Sequence, residues 1–315
     1  MIVEALKYAA ARLAGQDDRH GHLAEAIAMQ ARHARQRAAW QPHLEQCRAT
    51  CLDAALACPP GRRRTALVVG AGLLLDVPLE ELARRFQQVV LLDLAFLPGV
   101  AARAKALGNV RLLRHDITGC LDGLGGLDGR GEGTDESPLL APPVTLGPGS
   151  AAHGSPSADW AGLDFVYSAN LLSQLPLHAL PALRRHAPHL DETAREAFAA
   201  SLIRAHLDWL GGLPCPACLV ADVEEYAVEE HAVDVQAVPH RTGEETITPL
   251  LYGVEIRGSE LRGAETARTW TWNMAPGGEA LPGMDVRRRV LGILDARTRG
   301  PHAKATPMTE VHHDG

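Results

Sequence analysis

The chain has 315 residues and a net charge of −7 at pH 7, with 46% hydrophobic and 22% charged residues, as expected of a globular protein with a full core. The negative net charge excludes a protein whose overall positive charge attracts nucleic acid or anionic lipid. No apolar run approaches the roughly 20 residues that are needed to cross a bilayer. Six cysteines in a chain of this length do not form a disulfide scaffold, so we expect a reduced, cytoplasmic protein.

Residues 1–60 are predicted to form an N-terminal helical extension, with helices over 2–15 and 20–58. Pro42 is expected to divide the second helix after Trp40. The extension is expected to cover part of the site formed downstream or to make a homodimer contact. Cys47 and Cys51 lie four residues apart on one helical face, a spacing interpreted as packing rather than metal binding.

The stretch from Thr65 to Thr118 alternates short apolar runs with helical segments. Runs of this length, separated by helices, indicate parallel strands buried on both faces and a βαβαβ unit. The expected strands are 66–69, 89–92 and 110–113, and the expected helices are 79–86 and 97–107. The predicted fold is therefore α/β, a doubly wound Rossmann-like sheet.

Residues 119–162 are rich in Gly, Pro and Ser and have almost no apolar periodicity, which predicts a disordered insertion. The sheet pattern resumes after the insertion and becomes β-rich towards the end of the chain. Further strands are expected at 163–167, 215–223, 233–238, 246–256 and 268–274, helices at 171–186 and 191–210, and a strand or short helix at 286–296. The Rossmann-like domain is thus assigned to 61–296 and a flexible tail to 297–315.

Gly70, Ala71 and Gly72 follow the first predicted strand and allow a tight turn with close backbone approach to a ligand. A dinucleotide fingerprint needs a third glycine, but leucines follow Gly72, and no P-loop sequence is present. The apolar loop suits a nucleoside without phosphates better than NAD or ATP. Asp76 precedes Val77 and Pro78, a pattern typical of a helix N-cap.

Two aspartates follow the next predicted strands at positions suited to a nucleoside. Asp93 ends the second strand about 20 residues beyond the glycine turn, where a carboxylate accepts hydrogen bonds from ribose hydroxyls. Asp116 lies beyond the third strand, where the edge of an adenine base would lie. Each alone is equally compatible with an ordinary strand-end residue, and their order along the chain favours the binding interpretation.

These segments resemble the successive motifs of class I S-adenosylmethionine-dependent methyltransferases. The matching segments are Val68–Gly72, Leu91–Asp93, Arg114–Ile117 and Asp164–Asn170. The resemblance implies a seven-stranded sheet with an antiparallel last strand. Leu74 stands where that family has a third glycine, no acidic residue precedes Gly70, and the Asn/Asp-Pro-Pro-Tyr/Phe signature of amino-methylating enzymes is missing.

The resemblance also implies S-adenosylmethionine as cofactor, with its methionine part on Gly70–Gly72, ribose on Asp93 with Leu94 beside it, and adenine near Asp116 and Ile117. Ser168 would border the sulfonium. Asn170 and Gln174 are the candidate catalytic residues, as groups that orient the acceptor. No metal site is assigned.

Methyl transfer from a sulfonium needs mainly positioning, so no general base is assigned. His178, His186, His189 and His206 are each interpreted as surface or packing residues. Glu224, Glu225 and Tyr226 are candidates for an acceptor pocket. Cys215 and Cys218 form a CxxC that opens a strand, and the interpretation is packing rather than redox chemistry.

The leading functional hypothesis is methyl transfer to a small-molecule acceptor, with no nucleic acid or membrane partner. One alternative is a non-catalytic module of the same fold that binds a nucleoside or a protein. Another is an NAD-dependent oxidoreductase, which keeps Asp93 but lacks the glycine fingerprint.

Overall fold

The structure, a computed structural model, describes residues 21–120, 162–229, 246–257, 260–280 and 283–298. Four expectations lie wholly or mostly outside these residues. They are the helix at 2–15, the insertion at 119–162, the strand at 233–238 and the tail at 297–315.

The helices of the described residues fall in the expected places. They are α1 (His22–Arg35), α2 (Arg37–Leu56), α3 (Leu79–Arg85), α4 (Pro98–Leu107), α5 (Leu175–His186) and α6 (Glu192–Gly211). A 3₁₀ turn at Leu172–Gln174 precedes α5. No helix of the described residues is long and apolar enough to span a membrane.

The strands form one sheet. They are β1 (Thr65–Val69), β2 (Gln88–Asp93), β3 (Val110–Arg114), β4 (Leu163–Ala169), β5 (Ala217–Glu229), β6 (Thr246–Pro249), β7 (Arg268–Ala275) and β8 (Met284–Ile293). The order is β3-β2-β1-β4-β5-β8-β7, and β6 pairs with β5. β1 to β5 are parallel, and β8 runs antiparallel to β5. The doubly wound fold and the antiparallel last strand are confirmed.

The described sheet has eight strands, so the expected count of seven is wrong. The extra strand forms because β5 runs on to Glu229, well beyond the last residue that pairs with β4. The second half of β5 therefore has a free edge, which β6 fills between Glu224 and Ala227.

The expected strand at 246–256 is also shorter than predicted. It stops at Pro249, which has no N–H to continue a ladder. Tyr252 and Gly253 then adopt positive φ angles of 48° and 74°, which turn the chain. The closing segment at 286–296, left open between strand and helix, is the strand β8.

Pro42 does not divide the second helix. The break falls earlier, at Gln36 (φ −105°, ψ 21°), and α2 continues through Pro42 to Leu56. The chain stays hydrogen-bonded across the break, because the Gln36 N–H donates to Arg32 O and the Trp40 N–H donates to Gln36 O. The result is a kink between α1 and α2.

Two apolar layers cover the sheet. One face packs α2 and α3 against Val68, Phe165 and Tyr167, and the other packs α5 and α6 against residues such as Leu67 and Val166. A separate small cluster joins Leu23 and Ile27 of α1 to Leu97. α1 is therefore attached at the edge of the molecule, above the carboxyl ends of the parallel strands.

Candidate functional site

The loop after β1 has positive φ angles at every second residue: 74° at Gly70, 46° at Gly72 and 59° at Leu74. A Cβ at Gly70 would lie 2.9 Å from both the carbonyl oxygen of Ala169 and the Cβ of Leu171, so only glycine fits where the ends of β1 and β4 meet. A Cβ at Gly72 would meet nothing closer than 3.9 Å, which leaves free volume beside the backbone.

Leu74, which stands where the resemblance places a third glycine, has a left-handed backbone conformation with a φ of 59°. A left-handed conformation at a leucine costs about 1–2 kcal/mol. The side chain is only 3% exposed and belongs to the core under α2 and α3, which offsets that strain. The left-handed turn at this position therefore forms without a glycine.

Asp93 joins the end of β2 to this loop. Its Oδ2 accepts a hydrogen bond from the Gly72 N–H at 2.7 Å, and its Oδ1 accepts one from the Leu94 N–H at 2.7 Å. Burial raises the pKa of Asp93, and these backbone donors oppose the shift. Oδ1 also accepts a longer hydrogen bond from the Ala95 N–H at 3.5 Å, whereas Oδ2 keeps a lone pair for a further donor, such as a hydroxyl.

A cavity of about 190 Å³ opens at the carboxyl ends of the parallel strands, where open α/β sheets bind ligands. It brings together most of the residues singled out in the sequence. Its walls include Gly70, Gly72, Asp93, Leu94, Asp116, Ile117, Asn170 and Gln174.

Ala71 and Ser168, also assigned to the cofactor, do not line this cavity. Ala71 is fully buried in the core under α2 and α3. The Ser168 hydroxyl lies 2.9 Å from His206 Nε2 on α6, on the other face of the sheet. Alternation along β4 explains this, because Ser168 faces opposite to Tyr167 and Ala169.

Asn170 and Gln174 border the cavity and also hold the strand ends together. Asn170 has a φ of 46°, and its Oδ1 accepts a hydrogen bond from the Asp222 N–H at 3.0 Å. Gln174 Nε2 donates to the Asn170 carbonyl at 2.6 Å. These bonds fix the β4 loop against β5, a structural role that the sequence did not indicate.

Glu224, Glu225 and Tyr226 do not line the cavity. The two glutamates form ion pairs with Arg289 and Arg288 of β8, and the Tyr226 hydroxyl bonds to Glu224. They stabilise the antiparallel extension of the sheet.

The N-terminal helices supply part of the cavity wall, and most of these residues were not singled out from the sequence. They are His22, Glu25, Ala26 and Met29 of α1 and Trp40, His43 and Leu44 of α2. At the mouth, Glu25 Oε2 lies 3.5 Å from His178 Nδ1, and the rings of His22 and His178 meet edge to face at 4.5 Å. No local sequence pattern predicts this arrangement, because it depends on how α1 lies over α5.

Several aromatic side chains form the cavity wall on the α2 side. Trp40 and Trp272 pack edge to face at 4.9 Å, and His43 stacks on Trp272 at 4.3 Å. Trp270 Nε1 donates to His43 Nδ1 at 3.1 Å, which assigns the ring proton of neutral His43 to Nε2. Burial, reinforced by Arg288 and Arg48, lowers the pKa of His43 to about 3.

Asp76 is not a helix N-cap. α3 begins at Leu79 after Pro78, with no side-chain cap. Asp76 instead lines the cavity, and burial raises its pKa to about 6. No side chain of the described residues forms a hydrogen bond or ion pair with its carboxylate, so this acid is available to a ligand.

The cysteines are free thiols, and Cys47, Cys51, Cys58, Cys215 and Cys218 are buried. Burial raises the pKa of each of these five thiols, which keeps them protonated. The packing interpretation agrees with this environment.

Fold and site together define a doubly wound α/β protein with a cavity at the carboxyl ends of its parallel strands. No family model and no curated protein matches the chain. Solved structures that resemble it include S-adenosylmethionine-dependent methyltransferases, all at low identity.

One similar structure is the DhpI–SAM–HEP complex, at 14% identity, covering 82% of this chain and 92% of that chain with a TM-score of 0.31. Another is the Burkholderia thailandensis 1,6-didemethyltoxoflavin-N1-methyltransferase with bound 1,6-didemethyltoxoflavin and S-adenosylhomocysteine, at 14% identity, covering 84% of this chain and 87% of that chain with a TM-score of 0.28. A third is the O-methyltransferase TomG from Streptomyces achromogenes in complex with SAM, at 14% identity, 79% coverage of each chain and a TM-score of 0.28. At these TM-scores the likeness does not define a family.

Proposed function

We propose that this chain binds S-adenosylmethionine in the cavity and transfers its methyl group to a small-molecule acceptor. The observation that carries the proposal is that Gly72, Asp93 and Asp116 all line one cavity, although they lie at or just beyond the ends of three different strands. Such convergence of a glycine turn and two strand-end carboxylates supports a nucleoside site.

The residues fit the nucleoside cofactor. The free volume beside Gly72 admits a ligand against the loop, and the remaining lone pair of Asp93 Oδ2 accepts a ribose hydroxyl. Leu73, Leu92 and Ile117 supply apolar surface for the adenine. Asn170 and Gln174 remain candidates to orient the acceptor, because the hydrogen bonds described above use, of their side-chain atoms, only Oδ1 of Asn170 and Nε2 of Gln174.

The loop argues against a dinucleotide. In dinucleotide folds the glycine turn leads directly into a helix whose N-terminus receives the pyrophosphate. Here six residues separate Gly72 from the start of α3 at Leu79. The carboxylates of Asp76 and Asp93 face the same cavity and repel phosphate.

A bound S-adenosylmethionine supplies an activated methyl group, so the protein needs chiefly to hold the acceptor and limit water. α1 and α2 cover the cavity and fulfil the second requirement. A small molecule is favoured over nucleic acid because the net charge is −7 and Glu25 lies at the mouth.

Calorimetric titration of the purified protein with S-adenosylmethionine, S-adenosylhomocysteine and NAD tests the proposal. We expect micromolar binding of the first two and none of NAD. Binding of NAD alone would make the chain an oxidoreductase, and no binding of any of the three would favour a non-catalytic module. Binding of the cofactor without turnover of any acceptor would also favour the module.

Asp93→Ala is expected to reduce S-adenosylhomocysteine affinity at least about tenfold, because it removes the ribose acceptor and the bond to Gly72. Asp93→Asn is expected to weaken binding less, because it retains an acceptor oxygen. Asp208→Asn, an exposed change on α6, serves as the matched control. Unchanged affinity in Asp93→Ala with a normal melt would place the ribose elsewhere.

A further inference from the structure

Asp76 is held in the cavity wall by a loop whose carbonyl groups are fixed from two sides. Arg48 of α2 donates to the Leu75 carbonyl at 2.5 Å, and Arg103 of α4 donates to the Leu74 carbonyl at 3.4 Å. Arg103 is itself held by Glu80. This bracing keeps the half-buried carboxyl group of Asp76 at a defined position, where no side chain in the described part of the chain pairs with it.

The charged groups around Asp76 favour its carboxylate as a proton acceptor rather than as the partner of a cation in an ion pair. Asp222 of β5 and Asp93 of β2 raise its pKa further, while Arg48 and the backbone N–H of Asp76 lower it, and burial is the largest cause. Cys47 and Tyr167 also face this region, and burial raises the pKa of both, so they remain neutral. A carboxylate that titrates near pH 6 is ionised at neutral pH and more basic than an ordinary aspartate.

Of the histidines in and near the cavity, which also include His22 and His115, three are poorer candidates. The Nδ1 of His43 is engaged by Trp270, and its pKa is lowered to about 3. His206 lies on the other face of the sheet beside Ser168. His178 lies at the mouth with Glu25.

The cavity wall on the α2 side is aromatic, which suits contact with another ring. Trp40 is 2% exposed and Trp272 is 5% exposed, and both line the cavity. Trp40 is fixed by its Nε1, which donates to the Met274 carbonyl at 2.9 Å. His43 already stacks on Trp272 at 4.3 Å and Arg288 lies 5.8 Å from the centre of the same ring, so the contact that these indoles favour with a ligand ring is edge to face.

Resting on the proposed function, we propose that the acceptor is a planar aromatic molecule with an N–H or O–H group, seated against Trp40 and Trp272, and that Asp76 accepts its proton. The acceptor N–H or O–H bond breaks and its electron pair forms the bond to the methyl carbon. The carbon–sulfur bond breaks at the same time and leaves the thioether. The proton passes to the Asp76 carboxylate, which later releases it to water.

The test uses 7-hydroxycoumarin and indazole as planar probes with an O–H or N–H group, and coumarin as a control without one. Titration of the protein loaded with S-adenosylhomocysteine should show binding of both probes. Protein supplied with S-adenosylmethionine should methylate the two probes and not coumarin. The rate should rise with pH through a midpoint near 6, following the ionisation of Asp76.

Asp76→Asn should retain S-adenosylhomocysteine binding and lower the methylation rate about 100-fold or more, with the pH dependence near 6 lost. Asp208→Asn is the matched control and should behave as wild type. Asp76→Asn should also raise the melting temperature at pH 8, because a buried charge is removed, and this gain should shrink below pH 5. A structural role for Asp76 would instead lower the melting temperature at both pH values.

Each other result overturns a defined part of the proposal. Failure of both probes to bind, or binding without methylation, overturns the acceptor class. An Asp76→Asn rate within a fewfold of wild type overturns the proton transfer. Loss of S-adenosylhomocysteine binding in Asp76→Asn assigns Asp76 to the cofactor and leaves the proposed function standing, whereas failure of wild type to bind it rejects the proposed function itself.

Discussion

Leu74 and Asp76 show how residue identity and residue environment diverge in one short loop. The sequence marks Leu74 as a departure from the glycine pattern, yet its backbone adopts the left-handed conformation that glycine would supply. The sequence gives Asp76 the position of a helix cap, yet the helix starts without it. Local pattern identifies the loop, while the packing around the loop sets what each side chain does.

Leu74→Gly and Leu74→Ala separate strain from burial at this position. Both remove a buried side chain and should destabilise the protein, by about 2–5 kcal/mol for the alanine variant. Because glycine relieves the left-handed strain, Leu74→Gly should be more stable than Leu74→Ala by about 1 kcal/mol. Denaturant unfolding of the pair measures this difference, and an alanine variant that is the more stable would contradict the backbone conformation.

At the scale of elements, α1 is the part of the fold most directly linked to ligand access. It contributes His22, Glu25, Ala26 and Met29 to the cavity, and its buried residues form a small cluster of their own, while Met29 packs against the core layer of α2 and α3. Arg32 and Arg35 join it to Glu279 near the start of β8. An element that adds much to the cavity and little to the core is suited to cover a ligand.

Removal of residues 1–35 is expected to leave a cooperative melt, because both main core layers remain. The same deletion should weaken S-adenosylhomocysteine binding at least about tenfold, since water then reaches the cavity. Arg35→Ala, which removes only an exposed ion pair, is the control and should change stability by less than about 1 kcal/mol. Unchanged affinity after the deletion would show that α1 does not cover the ligand.

For the whole molecule, burial of neutral histidines makes stability depend on pH. His206 is buried against Ser168, and burial lowers its pKa from 6.5 to about 4. The unfolded chain therefore binds this proton first as the pH falls. The contribution of His206 to stability is complete above pH 6.5 and decreases until about pH 4.

His206→Gln should remove this dependence. Between pH 7 and pH 4 the stability of wild type relative to the variant should fall by about 3 kcal/mol, given a shift of about 2.5 pKa units. Urea unfolding at several pH values measures the difference. A difference that stays constant over this range would mean that His206 is not held neutral by the fold.

The insertion provides a second prediction for the whole molecule. Replacement of residues 121–161 by a Gly/Ser linker of about ten residues should leave the cooperative melt in place, because their composition cannot supply a core. Circular dichroism and thermal melting test this. A broad, non-cooperative melt would assign the segment a structural role.

The sequence by itself determined the α/β alternation, the parallel strands, the glycine turn and the strand-end aspartates, because these follow from local hydrophobic period and turn chemistry. It did not determine the extra strand, which depends on how far β5 extends beyond β4.

Only the tertiary structure decided which residues meet. Ser168 points away from the cavity because of the face it takes on β4, whereas Asp76, Trp40 and His43 enter it because α2 packs beside the glycine loop. These contacts join positions far apart in the chain, and no local period encodes them. The strand-end residues could be placed in advance because parallel strands share one carboxyl edge, but the helices that cover that edge are positioned by long-range packing alone.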